Sequence, residues 1–313
     1  MMIDIEGMDA GYGDYKILHD INLHLEGPGL TCIIGPNGVG KSTLVKCMNR
    51  LLVPTSGSVR INGRDVSEMS RKEIAEIISY VPVQTDDVFA MPVFDTVMIG
   101  RANKSGWRTG PEDIVKVKKA LEILNLAHLS SRPFNELSAG QHQTVAIARG
   151  LVQETEIMIL DEPTSNLDVR HQIFITSLMH EIAVQKNVMV IMISHNLNIA
   201  SMFADNIILM ENPGRIRQVG PTAEVITSKN IEEVYNVGCE IIVHQGRPVM
   251  LLDQILNRSY PRHPPRMPPE TIYPAYPHAF INWMLYPTQL ETPQLCLSDS
   301  GLKDTAASVT GSR

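Results

Sequence analysis

Gly35-Pro36-Asn37-Gly38-Val39-Gly40-Lys41-Ser42-Thr43 decides the fold. The spacing of its glycines ahead of Lys-Ser-Thr is that of a phosphate-binding loop, a pattern that carries weight only between a strand and a helix. Both flanks are present. Leu30-Thr31-Cys32-Ile33-Ile34 reads as a buried strand running into the loop. Beyond it, Leu44, Val45, Met48, Leu51 and Leu52 recur at helical spacing until Pro54 stops them. In such a loop Gly38 and Gly40 let backbone N–H groups approach phosphate, and the helix N-terminus adds partial positive charge. Lys41 is placed to reach the β- and γ-phosphates and Ser42 to ligate Mg²⁺, while Gly35, Pro36, Asn37, Val39 and Thr43 complete the cradle.

Outward from the loop the pattern is that of an α/β protein. Ile157–Leu160 and Val188–Ile193 are apolar throughout, as strands buried on both faces of a parallel sheet are, and Ile173, Ile175, Leu178 and Ile182 predict the crossover helix between them. The first run ends in Asp161-Glu162, two carboxylates at the edge where open α/β sheets present ligands. Asp161 is suited to hold Mg²⁺ through water and Glu162 to polarise an attacking water as general base. Near the start, Ile3-Asp4-Ile5 and Ile21-Asn22-Leu23-His24-Leu25 alternate as half-buried strands do, predicting an antiparallel β subdomain. Residues 206–219 predict a hairpin turning at Asn212-Pro213-Gly214. The stretch from about 92 to 150 is helical in pattern, with Ile114, Val117, Ala120, Leu121 and Leu124 on one stripe, and reads as an inserted helical subdomain.

Composition narrows the partners. Of 313 residues 43% are hydrophobic and 19% charged, enough for a sizeable core, and the net charge of −7 without a Lys/Arg-rich run gives no footprint for nucleic acid or an acidic bilayer. The apolar runs are far too short to span a membrane, and Met1-Met2-Ile3-Asp4 lacks a signal pattern. Cys32, Cys47, Cys239 and Cys296 show no Cys-x-x-Cys spacing and read as reduced, cytoplasmic thiols. Residues 1–255 form the catalytic domain. In 256–313, prolines interleave with Tyr273, Tyr276, Trp283 and Tyr286 before a polar end, which reads as a disordered extension.

Ahead of the Asp161-Glu162 strand, Leu137-Ser138-Ala139-Gly140-Gln141 resembles the signature motif of ABC ATPases, and the likeness covers about residues 3–252. Ser138 and Gln141 also have capping-box spacing, which makes Ala139 the first residue of a helix. Further family residues follow in order. Tyr12 resembles the aromatic that stacks on adenine, with Tyr15 close enough to compete; Gln84 resembles the Q-loop glutamine, a catalytic and metal-contacting position; Ser165–Asp168 resembles the D-loop; and His195 resembles the switch histidine. Departures are equally specific. Gln84 falls one residue late in Tyr80-Val81-Pro82-Val83-Gln84, leaving Val83 as the alternative occupant, and His142 and Thr144 stand where the family habit is arginine. Ala139 replaces a glycine.

The resemblance implies a head-to-tail homodimer with each ATP between the phosphate loop of one subunit and the signature of the other. It also implies separate integral membrane permease subunits, an indirect link to a substrate-binding protein, and a peripheral place on the cytoplasmic face of the membrane. His195-Asn196-Leu197-Asn198 and Val225–Tyr235 look most like the ATPases of iron-siderophore, haem and cobalamin importers, although that subgroup has Asp where Asn196 stands. The alternative is a soluble ABC ATPase without a permease, such as an iron–sulfur assembly factor. A non-hydrolysing scaffold is disfavoured by Glu162 and His195, and DNA-repair ABC proteins by the absence of long heptad insertions.

Overall fold

The structure is a computed structural model that describes residues 1–83, 90–105, 109–165 and 167–255. Strand β1 (Met2–Tyr12) pairs antiparallel with β2 (Tyr15–Glu26), matching Ile3 to Leu25 and Ile5 to Leu23, so the alternation puts these apolar side chains on one buried face. β3 (Gly29–Ile34) enters the main sheet and ends at the 35–40 loop, from which α1 (Lys41–Met48) starts. β4 (Ser56–Ile61) and β5 (Arg64–Asp65) complete a four-stranded sheet in the order β2-β1-β4-β5. α2 (Arg71–Ile77), held at its start by a Ser70/Glu73 capping box, leads into β6 (Ile78–Val81).

The expected helical subdomain contains α3 (Val93–Met98), α4 (Ala102–Ser105), α5 (Pro111–Ile123) and α6 (Ala139–Leu151). Its buried stripe on α5 departs from the sequence reading. Val117, Ala120 and Leu121, with Leu124 just beyond the helix, are buried, but Ile114 is 40% exposed; the buried place in the first turn goes to Asp113, which reaches Arg101 at 2.8 Å. Sequence periodicity favours the apolar residue there, whereas the ion pair decides it.

β7 (Ile157–Leu160), α7 (Val169–Lys186) and β8 (Met189–Ile193) form the expected crossover unit. α7 buries Ile175, Met179 and Ala183 at i, i+4, i+8, while Ile173 is half-exposed. α8 (Leu197–Phe203) precedes the hairpin of β9 (Asn206–Glu211) and β10 (Arg215–Pro221), and the six-stranded sheet runs β10-β9-β3-β8-β7-β6, parallel except at β10. α9 (Thr222–Val225), α10 (Ser228–Tyr235) and the hairpin β11 (Val237–His244) with β12 (Arg247–Ile255) close the described chain. Asn198 ties that hairpin to α8, accepting from Met250 N–H at 2.8 Å and donating to its carbonyl at 3.1 Å.

The main sheet separates two cores. Leu30, Cys32 and Ile34 face the helical side, and Ile33 faces the antiparallel layer with Ile191 and Ile193. No helix among the described residues is long and apolar enough to cross a membrane. Cys32, Cys47 and Cys239 are free and buried. Cys296 and the extension 256–313 lie outside the described residues.

Candidate active site

Three neighbouring strands deliver the chemistry. β3, β8 and β7 lie side by side and parallel, so the loops after them, 35–40, Ser194-His195 and Asp161-Glu162, emerge at one edge of the sheet. Gly38 at φ +78° and Gly40 at φ +103° occupy the left-handed region, and a Cβ on Gly40 would sit 2.6 Å from Leu18 Cδ2. α1 has no side-chain cap, which leaves its first N–H groups directed at the loop. Lys41 is 5% exposed, and its Nζ donates to the carbonyls of Gly35 at 2.8 Å and Pro36 at 2.9 Å. Burial lowers its pKa, against the nearby charges of Glu162 and Asp161. Asn37, Gly38, Gly40, Lys41, Ser42, Thr43, Glu162 and His195 line one cleft of about 440 Å³, joined by Ile17.

Asp161 is 2% exposed, and both of its oxygens are engaged by hydroxyls: Oδ1 accepts from Ser42 at 2.9 Å and Oδ2 from Tyr80 at 3.1 Å. Burial raises its pKa and the two hydroxyls oppose the rise. A buried carboxylate held by neutral donors suits a cation. Among the described residues no group of three His, Cys, Asp or Glu could hold a metal. Ser42 and Asp161 therefore fit Mg²⁺ only with phosphate oxygens and waters supplying the other positions, which is how Mg²⁺ is usually bound. Beside them Glu162 adopts φ +50°, a conformation that costs a non-glycine residue about 1–2 kcal/mol. Its Oε1 lies 2.6 Å from His195 Nε2.

The signature lies elsewhere. Ser138 caps α6, its Oγ accepting from Gln141 N–H at 3.4 Å while Gln141 Oε1 accepts from Ser138 N–H at 2.9 Å, so the capping box forms and Ala139 opens the helix. Ser138, Ala139, Gly140 and Gln141 line a second cleft, of about 830 Å³, together with Asp168. Asp168 caps α7, and the backbone N–H of His171 holds its carboxyl below the usual range. Tyr12 is half-exposed at the end of β1, opposite Tyr15. Gln84 lies outside the described residues, and Val83 is described just before it.

Sequence reasoning missed Tyr80, a strand residue whose hydroxyl reaches Asp161 across the sheet, and Ile17 in the phosphate cleft. The only signal for Tyr80 was its place one strand away from Asp161. The two residues at the family's arginine positions also have partners. The His142 ring stacks on Phe134 with centroids 4.3 Å apart and its Nε2 lies 2.7 Å from the Phe134 carbonyl, while Thr144 Oγ1 donates to the Gly140 carbonyl at 2.8 Å.

The family described as ABC transporter matches residues 18–165. The chain is 35% identical over 261 residues to the iron(3+)-hydroxamate import ATP-binding protein FhuC of Bacillus subtilis, covering 82% of this chain and 97% of that one. It belongs to the ATP-binding proteins of ABC transporters. Ferric enterobactin transport ATP-binding protein FepC of Escherichia coli is 34% identical over 241 residues, with 76% of this chain and 88% of that one covered. Among solved structures, a nucleotide-free ATP-binding cassette from an ABC transporter superposes with TM-score 0.64 at 26% identity, over 75% of this chain and 94% of that one. A dimeric post-hydrolysis cassette bound to ADP and Pi gives TM-score 0.64 at 25% identity, over 70% and 98%. This ABC protein is an ATPase, the ATP-hydrolysing subunit of a transporter, and ATP is the nucleotide it binds. A soluble assembly factor is not favoured, because the named relatives are import and transport ATP-binding proteins.

Proposed function

We propose that two copies of the chain close head to tail on two ATP molecules and drive import of a ferric siderophore through a separate membrane permease. The carrying observation is the division of the machinery: the phosphate loop, Glu162 and His195 line one cleft and the signature lines another. Each half supplies what the other lacks. The first has the cradle and the acid–base pair, and the second has a capped helix start whose N–H groups suit a γ-phosphate.

In this reading the backbone of Gly35, Pro36, Asn37, Gly38, Val39 and Gly40 wraps the phosphates, Thr43 closes the cradle and Tyr12 stacks on adenine. Lys41 exchanges the Gly35 and Pro36 carbonyls for phosphate oxygens. Mg²⁺, which Ser42, Gln84 and, through water, Asp161 would hold, would neutralise charge on the phosphates. Glu162 accepts the proton of the attacking water while His195 orients the pair. Ser138, Ala139, Gly140 and Gln141 contribute donors from the partner, and Asp168 stands at the same seam. Closure excludes water, so these donors act in a low dielectric.

Import of ferric siderophores is supported by what the relatives' names state, iron(3+)-hydroxamate import and ferric enterobactin transport. The permease would place the chain on the cytoplasmic face, with a substrate-binding protein delivering cargo on the far side. Co-expression with a candidate permease, copurification, and uptake of a radio-iron hydroxamate into ATP-loaded proteoliposomes test the reading. Uptake that needs Glu162 supports it; a chain that hydrolyses ATP but never enters a membrane complex overturns it.

A further inference from the structure

Asp161 is gripped from two directions by groups that differ in freedom. Ser42 lies at the start of α1 and is itself the hydroxyl placed to meet the metal, so its bond to Asp161 Oδ1 is exchangeable. Tyr80 lies on β6, and its hydroxyl donates to Oδ2 at 3.1 Å. The neighbouring residue of the same strand, Val81, accepts the Asp161 N–H at 2.8 Å. Two consecutive residues of β6 therefore hold the backbone and the side chain of one aspartate. Among the described residues the Tyr80 hydroxyl donates to no other acceptor, while its ring packs with the core on the β-subdomain side, a task a phenylalanine ring would serve as well.

We propose that Tyr80 is a positioning residue for the metal side of the ATP site: its hydroxyl keeps the Asp161 carboxylate aligned when Ser42 turns from that carboxylate to the cation. This rests on the reading of Asp161 as the acid that holds Mg²⁺. Carboxylates that serve metals are oriented by outer hydrogen-bond partners, whose loss costs about 10- to 100-fold in metal affinity when the carboxylate is a direct ligand; Asp161 would act through water, so the low end is expected. The same strand ends at Val81, two residues before Val83 and three before Gln84. Pro82 and Val83 follow directly on this strand, so the backbone leads from them to the aspartate through Val81 and Tyr80.

The test is binding, not turnover. Affinity of the full-length chain for a fluorescent ADP analogue is measured across a Mg²⁺ series and in EDTA, for wild type, Tyr80→Phe, Asp161→Asn and the double variant. The expected result for Tyr80→Phe is a roughly tenfold rise in half-saturating Mg²⁺ with affinity in EDTA unchanged, alongside a modest fall in melting temperature from the lost hydrogen bond. In the Asp161→Asn background Tyr80→Phe should change nothing further. A wild-type Mg²⁺ dependence in Tyr80→Phe overturns the proposal, as does an equal effect with and without Asp161. If Asp161→Asn alone leaves the Mg²⁺ dependence intact, the metal role of Asp161 fails first and the role of Tyr80 falls with it. Should Tyr80→Phe fold poorly, Mn²⁺ affinity of the wild type and of Tyr80→Leu, read by electron paramagnetic resonance, decides the same question, since leucine offers no donor.

Discussion

Glu162 Oε1 and His195 Nε2 stand 2.6 Å apart, joined across the ends of two adjacent parallel strands, β7 and β8. The contact depends on the left-handed backbone of Glu162, which turns the chain immediately after the strand. Such local strain persists only where surrounding structure fixes it, and here it is fixed at a candidate catalytic pair. In the proposed mechanism Glu162 as general base would already stand against His195 as its orienting group.

Glu162→Gln follows directly. The amide keeps the size of the side chain and a hydrogen bond to His195 but cannot accept a proton from water. Turnover should fall by about 10²–10⁴-fold while ATP still binds, and the variant should elute as an ATP-stabilised dimer on gel filtration. Phosphate release near the wild-type rate would remove Glu162 from the role of base.

The site was more legible in the sequence than its supports. Phosphate loop, Asp161-Glu162 and His195 were readable because each sits at the end of an apolar run, where a parallel sheet must turn. The Ser138/Gln141 box was readable because capping needs only local spacing. Tyr80, Ile17 and the stacking of His142 on Phe134 were not, since each contact is fixed by strand register or helix packing rather than by neighbours in sequence. Ile114 shows the converse error: periodicity assigned it to the core, but the Arg101–Asp113 pair occupies that turn.

That pair gives a stability prediction. Arg101 is 6% exposed, and besides Asp113 it donates to the Val152 carbonyl at 2.6 Å and to Glu154 at 2.9 Å, so it links α5 to the end of α6. Removing one partner of a buried ion pair costs about 3–5 kcal/mol. Arg101→Met should lower the urea midpoint accordingly, and adding Asp113→Asn should recover part of the loss. A midpoint unchanged in Arg101→Met would mean that the helical subdomain does not need the pair.

Cys32 and Cys47 supply a probe of the core. Burial pushes both thiols up to about 12, leaving about one in ten thousand ionised at pH 8. Neither should react with iodoacetamide in the native protein over an hour, and both should react fully in urea, as peptide mass spectrometry would report. Labelling of Cys47 alone without denaturant would reveal opening at α1, beside the phosphate loop.

Ala139 is the departure inside the signature, and the capping box explains why it is tolerated. Ser138 has extended backbone and α6 begins at residue 139, so that position takes ordinary helical angles at which a Cβ is allowed. Alanine is also the better helix former, by about 1 kcal/mol over glycine. The start of the helix is further fixed from within, by Thr144 donating to the Gly140 carbonyl and by His142 joined to Phe134, so removing the Ala139 methyl should free little. Ala139→Gly is therefore expected to change turnover by less than about tenfold, roughly 1.4 kcal/mol in the barrier. In the proposed head-to-tail dimer Gly140→Ala would add a side chain where backbone approaches the partner's phosphate, and Ser138→Arg destroys the cap; both should cost far more. Steady-state ATPase rates of the three variants, with the permease present, check the order. A large gain from Ala139→Gly would show that the methyl group, not the helix start, limits this subunit.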